Sequence, residues 1–125
     1  MLGVGIDLVS ISEIKDLDEC TKGAFAQKTF SQKELELAQK ANDYYEFLAG
    51  RFAAKEAVYK AFCGSFPNVD FDFRHAVETI KLENGAPKCI PNEELRKIMA
   101  DIGATDIKVS ISNQNDFAIA IAELV

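Results

Sequence analysis

The segment FAIAIAEL, residues 117–124, constrains the fold more than any other part of the chain. Its two-residue period puts Phe117, Ile119 and Ile121 on one face of a strand and Ala118, Ala120 and Ala122 on the other. An all-alanine face has little depth, so its cover must approach closely, and a helix packed tightly on it is the expected solution. The stretch LAGRFAAKEAVYKAF, residues 48–62, is alanine-rich and helical in character. It is unusual in carrying Arg51, Lys55, Glu56 and Lys60 among apolar neighbours.

The rest of the chain is arranged around that contact. Residues 2–9 read as a strand, with Leu2, Val4, Ile6 and Leu8 on one face and Gly3, Gly5, Asp7 and Val9 on the other. A helix is expected over residues 12–17, capped by Ser10 or Ser12. Ser31 and Glu34 form a capping box that opens a helix running towards Ala41. Asn42 and Asp43 mark a break, and a long helix then runs from Tyr44 to Cys63, stopped by Gly64. Residues 66–74 read as a loop and residues 76–82 as a strand. Asn84-Gly85 signals a hairpin into a short strand over residues 87–90. A helix over residues 93–102, closed by Gly103, leads to strands over 108–112 and 117–124, joined by the polar turn 113–116. Helices gather in the first half and mostly antiparallel strands in the second. That is an α+β class, a sheet packed against one long helix, as a single domain over residues 1–125.

Composition narrows the partners. A chain of 125 residues buries roughly two-thirds of its unfolded surface, enough for a real core. A net charge of −6 argues against nucleic acid and against an anionic membrane surface as partners. No run is long and apolar enough to span a bilayer, and the first residues lack the pattern of a signal peptide. Cys20, Cys63 and Cys89 are odd in number and widely spaced, so a zinc site is not expected. Free thiols in a reducing cytoplasm are.

Two sets of charges ask for a chemical explanation. Asp7 interrupts an apolar strand, on the face it shares with Gly3 and Gly5. A carboxylate there is costly unless solvated, paired or metal-bound. A solvated or capping aspartate at a strand end is the plain alternative. Glu56 and Lys60 are four apart and share a helix face. A surface ion pair is the plain alternative there, although surface pairs keep more polar company than Ala, Phe and Val. Taken together, one Asp and one Glu from different elements suit Mg²⁺, which takes one or two carboxylates and completes its shell with water and phosphate oxygens. Neighbouring Lys and Arg residues would hold the remaining phosphate charge. Neither a P-loop nor a dinucleotide-binding glycine motif is present.

The strand VGIDLV, the helix FLAGRFAAKEAVYKAF and the pair VSIS…AIAIAEL resemble the holo-[acyl-carrier-protein] synthases, the small single-domain 4′-phosphopantetheinyl transferases. The match runs through nearly the whole chain in order. The resemblance implies the fold of that family. It also implies transfer of the phosphopantetheine arm of coenzyme A to a serine of apo acyl carrier protein, leaving adenosine 3′,5′-bisphosphate, for fatty acid biosynthesis. Asp7 and Glu56 match the metal-binding acids, with Glu56 also, through a metal-bound water, as the base that takes the serine proton. Lys60 matches the lysine that stabilises or protonates the leaving phosphate. Arg51 and Lys55 lie in the segment that contacts coenzyme A phosphates, and Gly64, Ser65, Pro87, Ser112 and Asn113 fall in its other cofactor-binding segments. A homotrimer with sites between neighbouring subunits is implied as well, with residues 117–124 and their partners helping to form its core.

The chain departs from the family pattern at several points. Asn113 stands where a histidine is usual; it can hydrogen-bond a phosphate or ribose but cannot carry a proton or a positive charge. Cys63-Gly64-Ser65 keeps only part of a Gly-Thr-Gly loop. The Gly-x-Pro turn survives as Gly85-Ala86-Pro87, bordering the adenine end of the ligand. Glu13 replaces an arginine used for the carrier, and Lys15 and Lys22, seven apart, are the substitutes offered, sharing one helix face. Residues 10–40 hold five lysines against six acidic residues, so no basic patch for an acidic carrier emerges from order alone. Two other readings remain open at this point: a transferase for a specialised carrier domain, and a non-catalytic trimeric nucleotide-binding module that keeps the scaffold.

Overall fold

The computed structural model describes all residues, Met1–Val125. Strand β1 (Gly3–Ser10) leads into helices α1 (Ile11–Cys20), α2 (Ala24–Thr29), α3 (Gln32–Lys40) and α4 (Tyr44–Cys63). The second half comprises α5 (Phe73–Ala76), β2 (Val77–Lys81), β3 (Pro87–Pro91), α6 (Glu93–Ile102), β4 (Ile107–Gln114) and β5 (Phe117–Leu124). β1, β5 and β4 form a three-stranded sheet in that order, and β2 pairs with β3 separately. Every pairing is antiparallel.

The alanine face of β5 is covered as its sequence requires. Ala118, Ala120 and Ala122 are buried, and α4 lies across them and across β1. The approach is closest at β1, where a Cβ added to Gly3 or Gly5 would collide with the carbonyl oxygens of Ala61 and Ala57. Glycine is thus required here by contact between two backbones. Register places Gly3, Gly5, Asp7 and Val9 of β1 and Ile107, Val109, Ile111 and Asn113 of β4 on the same inward face as those alanines. Val4, Ile6 and Leu8 point away from α4 together with Phe117, Ile119 and Ile121, and all six are exposed.

The helix termini follow local chemistry. Ser10 caps α1 by accepting from the Glu13 amide, and Asp43 caps α4 by accepting from the Glu46 amide. Asn92 caps α6 by accepting from the Leu95 amide. The Ser31–Glu34 box is fully formed. Glu34 does more than close that box, since its wholly buried carboxylate also accepts from the Thr79 amide and the Lys55 ammonium.

Several features depart from the sequence expectations or lie outside them. Residues 24–29 form the short helix α2, and the supposed loop over 66–74 ends in α5, begun by an Asp72 cap. β4 continues to Gln114, so Asn113 lies in a strand and the turn is reduced to Asn115-Asp116, with Asn115 left-handed. The β2–β3 hairpin pairs Lys81 with Pro87, so Asn84-Gly85 belongs to a five-residue loop spanning 82–86. Gly64 ends α4 in right-handed geometry, without the left-handed turn a glycine stop favours. His75 joins Asp72 to the Lys28 carbonyl and so ties α5 to α2.

Candidate functional site

The march of β1 along α4 builds the first part of the site. Two residues of strand advance from Gly3 to Gly5 while the contact on α4 moves back one turn from Ala61 to Ala57. One further step of that march brings Asp7 to the next turn of α4, the one that Glu56 closes, and Lys60 reaches back along the helix to meet it. The Lys60 ammonium lies 2.9 Å from Asp7 Oδ1 and 3.1 Å from the Ile6 carbonyl. Glu56 is half-buried beside them, and its pKa is raised by desolvation first and by the Asp7 charge second, with Lys60 acting in the opposite direction. Asp7, Glu56 and Lys60, far apart in the chain, thus meet at one place.

This donor set can hold a particular kind of metal. No group of three or more His, Cys, Asp or Glu residues is positioned to coordinate an ion. Two carboxylates that feel each other's charge are nevertheless present. Hard oxygen donors in that number suit Mg²⁺, which keeps several waters or takes substrate oxygens for the remainder. They do not suit zinc, which is usually closed by nitrogen and sulfur ligands.

A second cluster lies on the other flank of α4, at the β4 edge of the sheet. A cavity of about 330 Å³ is lined by Lys40, Arg51, Lys81 and Asn113, with Asp43 and Glu46 also on its wall. Arg51 is largely buried, its guanidinium stacked 4.2 Å from the Phe47 ring centre, and its Nε has no hydrogen-bond partner. Burial presses its pKa down, opposed by the charge of Glu34. Arg51 makes no salt bridge, and a largely buried guanidinium with an unpartnered Nε makes this a place for an anionic ligand. Lys40 and Lys81 went unnoticed in the sequence because each ends an ordinary element with no local motif.

Other expected residues are scattered or reassigned. Lys55 does not face either cluster: it is 1% exposed, and its ammonium is held by Glu34 Oε1 at 3.0 Å and the Val77 carbonyl at 2.7 Å. In this structure its ammonium is thus committed to internal pairing. Lys15 and Lys22 do not share a helix face, because α1 ends at Cys20 and Lys22 sits in a left-handed turn beyond it. Gly64 follows Lys60 by one turn, and Ser65 lies near Gly3, about 13 Å of strand away from Asp7. Pro87 sits opposite Lys81 on the hairpin beside the Arg51 cavity. Ser112 points to the outward face of the sheet, where it lines a groove with Leu8, Phe117 and Ile119. Asp116, unremarked in the polar turn, accepts from Ser10 Oγ, Ser12 Oγ and the Ser12 amide, which depresses its pKa and fastens the start of α1 to the β4–β5 turn.

Comparison with known proteins adds independent findings. A family model described as the 4′-phosphopantetheinyl transferase superfamily matches residues 3–122. A holo-[acyl-carrier-protein] synthase of Desulforudis audaxviator is 34% identical over 98% of this chain and 91% of its own length. The crystal structure of the Neisseria meningitidis holo-[acyl-carrier-protein] synthase is similar with a TM-score of 0.87 and 28% identity, covering 100% of this chain and 98% of that one. The Helicobacter pylori holo-[acyl-carrier-protein] synthase, solved in complex with coenzyme A, has a TM-score of 0.81 at 28% identity and covers 98% and 99% of the two chains.

Proposed function

The chain belongs to the 4′-phosphopantetheinyl transferase superfamily, among the holo-[acyl-carrier-protein] synthases, and on that premise we propose the reaction it performs and the residues that perform it. It transfers the 4′-phosphopantetheine arm of coenzyme A to a serine of apo acyl carrier protein, giving holo carrier protein and adenosine 3′,5′-bisphosphate. The setting is fatty acid biosynthesis in the cytoplasm. The observation that carries the site assignment is the meeting of Asp7, Glu56 and Lys60 at the β1–α4 contact.

The chemistry follows from those groups. The carrier's serine oxygen attacks the β-phosphorus of coenzyme A, and the bond from that phosphorus to the bridging oxygen breaks. Glu56 takes the serine proton. Lys60 faces the charge that grows on the departing phosphate and donates to it. Asp7 and Glu56 would hold a Mg²⁺ ion, which when bound would supply the positive charge that a diphosphate needs. Arg51, with Lys40, Lys81 and Asn113, binds a further phosphate of coenzyme A in the cavity at the β4 edge.

The two clusters flank α4 from opposite sides, and this supports a site shared between subunits. The outward face of the sheet supports it too: Val4, Ile6 and Leu8 are 53%, 56% and 61% exposed, beside Phe117, Ile119 and Ile121. A contiguous apolar face of that kind marks an interaction surface. The proposed assembly is a homotrimer in which the β1 flank of one copy meets the β4 flank of the next.

The direct test mixes the protein with coenzyme A, Mg²⁺ and apo acyl carrier protein and weighs the carrier by mass spectrometry. Its mass rises by one phosphopantetheine arm, and Asp7→Asn lowers the rate by at least about 100-fold while the protein stays folded. An unmodified carrier after prolonged incubation, or an Asp7→Asn variant of full activity, refutes the assignment.

A further inference from the structure

A cation already occupies the point where the oxygens of β1 converge. It is the Lys60 ammonium, held between Asp7 Oδ1 and the Ile6 carbonyl. The two partners differ in freedom: the Asp7 side chain is 15% exposed and fixed on the strand, whereas the Lys60 side chain is 50% exposed on a flexible stem. Mg²⁺ binds carboxylate oxygen at about 2.0–2.1 Å. An ammonium left at its observed 2.9 Å from that same oxygen would stand within about 5 Å of a divalent ion. Two cations at that range repel, and the mobile one is the lysine.

We propose that Lys60 is a displaceable counter-cation: it neutralises Asp7 in the empty enzyme and is expelled towards the phosphates when a divalent cation arrives. Loading of the cation and engagement of the lysine with the diphosphate are then one event. The charges explain why such a device is useful. Asp7 and Glu56 together carry two negative charges, and Lys60 offsets one of them while the site waits. With the divalent cation bound, the freed ammonium brings the cluster to a net positive charge, which only an anionic substrate removes. Cation and coenzyme A therefore bind with positive cooperativity, and the cation alone binds weakly. The proposal rests on the reading of Asp7 and Glu56 as the cation-holding pair.

The test uses Mn²⁺ alone, without coenzyme A, with free Mn²⁺ counted from its electron paramagnetic resonance signal. Lys60→Met removes the competing charge and tightens Mn²⁺ binding about tenfold, as expected for one unit charge near a divalent ion in water-like screening. Lys60→Arg keeps the charge and stays near the wild-type affinity. Lys60→Met also lowers the transfer rate, so binding and activity move in opposite directions. Lys60→Gln repeats the binding measurement with a second neutral side chain. If neither neutral variant binds Mn²⁺ more tightly than wild type, while Asp7→Asn still weakens binding, the displacement is refuted and the cation site stands. Mn²⁺ binding indifferent to Asp7→Asn overturns both.

Discussion

Glu56 works against the fold that holds it. Burial and the Asp7 charge raise its pKa in the folded protein above its unfolded value. The unfolded state therefore releases this proton more readily, and ionised Glu56 costs stability above its raised pKa. That penalty disappears as the pH falls below the unfolded carboxylate value. Glu56→Gln is thus expected to raise Tm by about 1–2 °C at neutral pH while lowering the transfer rate at least 100-fold. Thermal melts at several pH values check the first part, because the gain should shrink on acidification. A residue that destabilises at the pH where it acts is the pattern expected of a catalytic base.

At the scale of elements, α4 is fixed on two sides by different physics. Towards β1 and β5 it is fixed by the absence of side chains. Gly5→Ala puts a methyl group into the Ala57 carbonyl, so strand and helix must separate. A loss of about 2–3 kcal/mol by urea denaturation is expected, and transfer should fall as well because Asp7 moves away from Glu56 and Lys60. Towards α3 and β2 it is fixed by the buried Lys55–Glu34 pair. Lys55→Met leaves the Glu34 carboxylate buried without its counter-charge, although the Ser31 and Thr79 amides still donate to it. The expected cost is about 3–5 kcal/mol, and a loss under 1 kcal/mol would mean that Glu34 takes up a proton or finds water instead. In both cases the functional side chain is a close neighbour of the structural one: Glu56 follows Lys55 by one residue, and Asp7 follows Gly5 by two on the same face of the strand.

For the whole molecule, the question is what covers the outward face of the three-stranded sheet. Apolar side chains from β1 and β5 are exposed there, next to Lys108, Ser110, Ser112 and Gln114 of β4. Ile121→Asp places a charge at the centre of that face, where Ile121 is 46% exposed in the single chain. In analytical ultracentrifugation this variant should sediment as a monomer where the wild type sediments as a trimer, with loss of transfer of at least about tenfold. Its secondary structure should be unchanged, because that side chain points away from α4 and the buried core. A wild-type protein that sediments as a monomer at full activity would rule out the shared site.

The alternation of β5, the capping box at Ser31, the length of α4 and the trio Asp7, Glu56 and Lys60 were all legible in the order of residues. The first three are written in a period or a motif that a few neighbouring residues complete, and only the family resemblance joined the trio into one site. Lys55 shows where that kind of reading stops. It sits in the same helical segment as Glu56, yet its direction was decided by Glu34, which reaches it from α3. Lys22 needed the end of α1 to be located, and the left-handed turn that follows takes it off the helix. The cavity around Arg51 draws Lys40 from α3, Lys81 from β2 and Asn113 from β4, and no local pattern connects them. Secondary structure and side-chain periodicity come from short-range sterics and hydrogen bonds, so the sequence by itself determined them. Which charge meets which partner depends on burial and on distance through space, and only the packing of α4 between β1, β4 and α3 decided that.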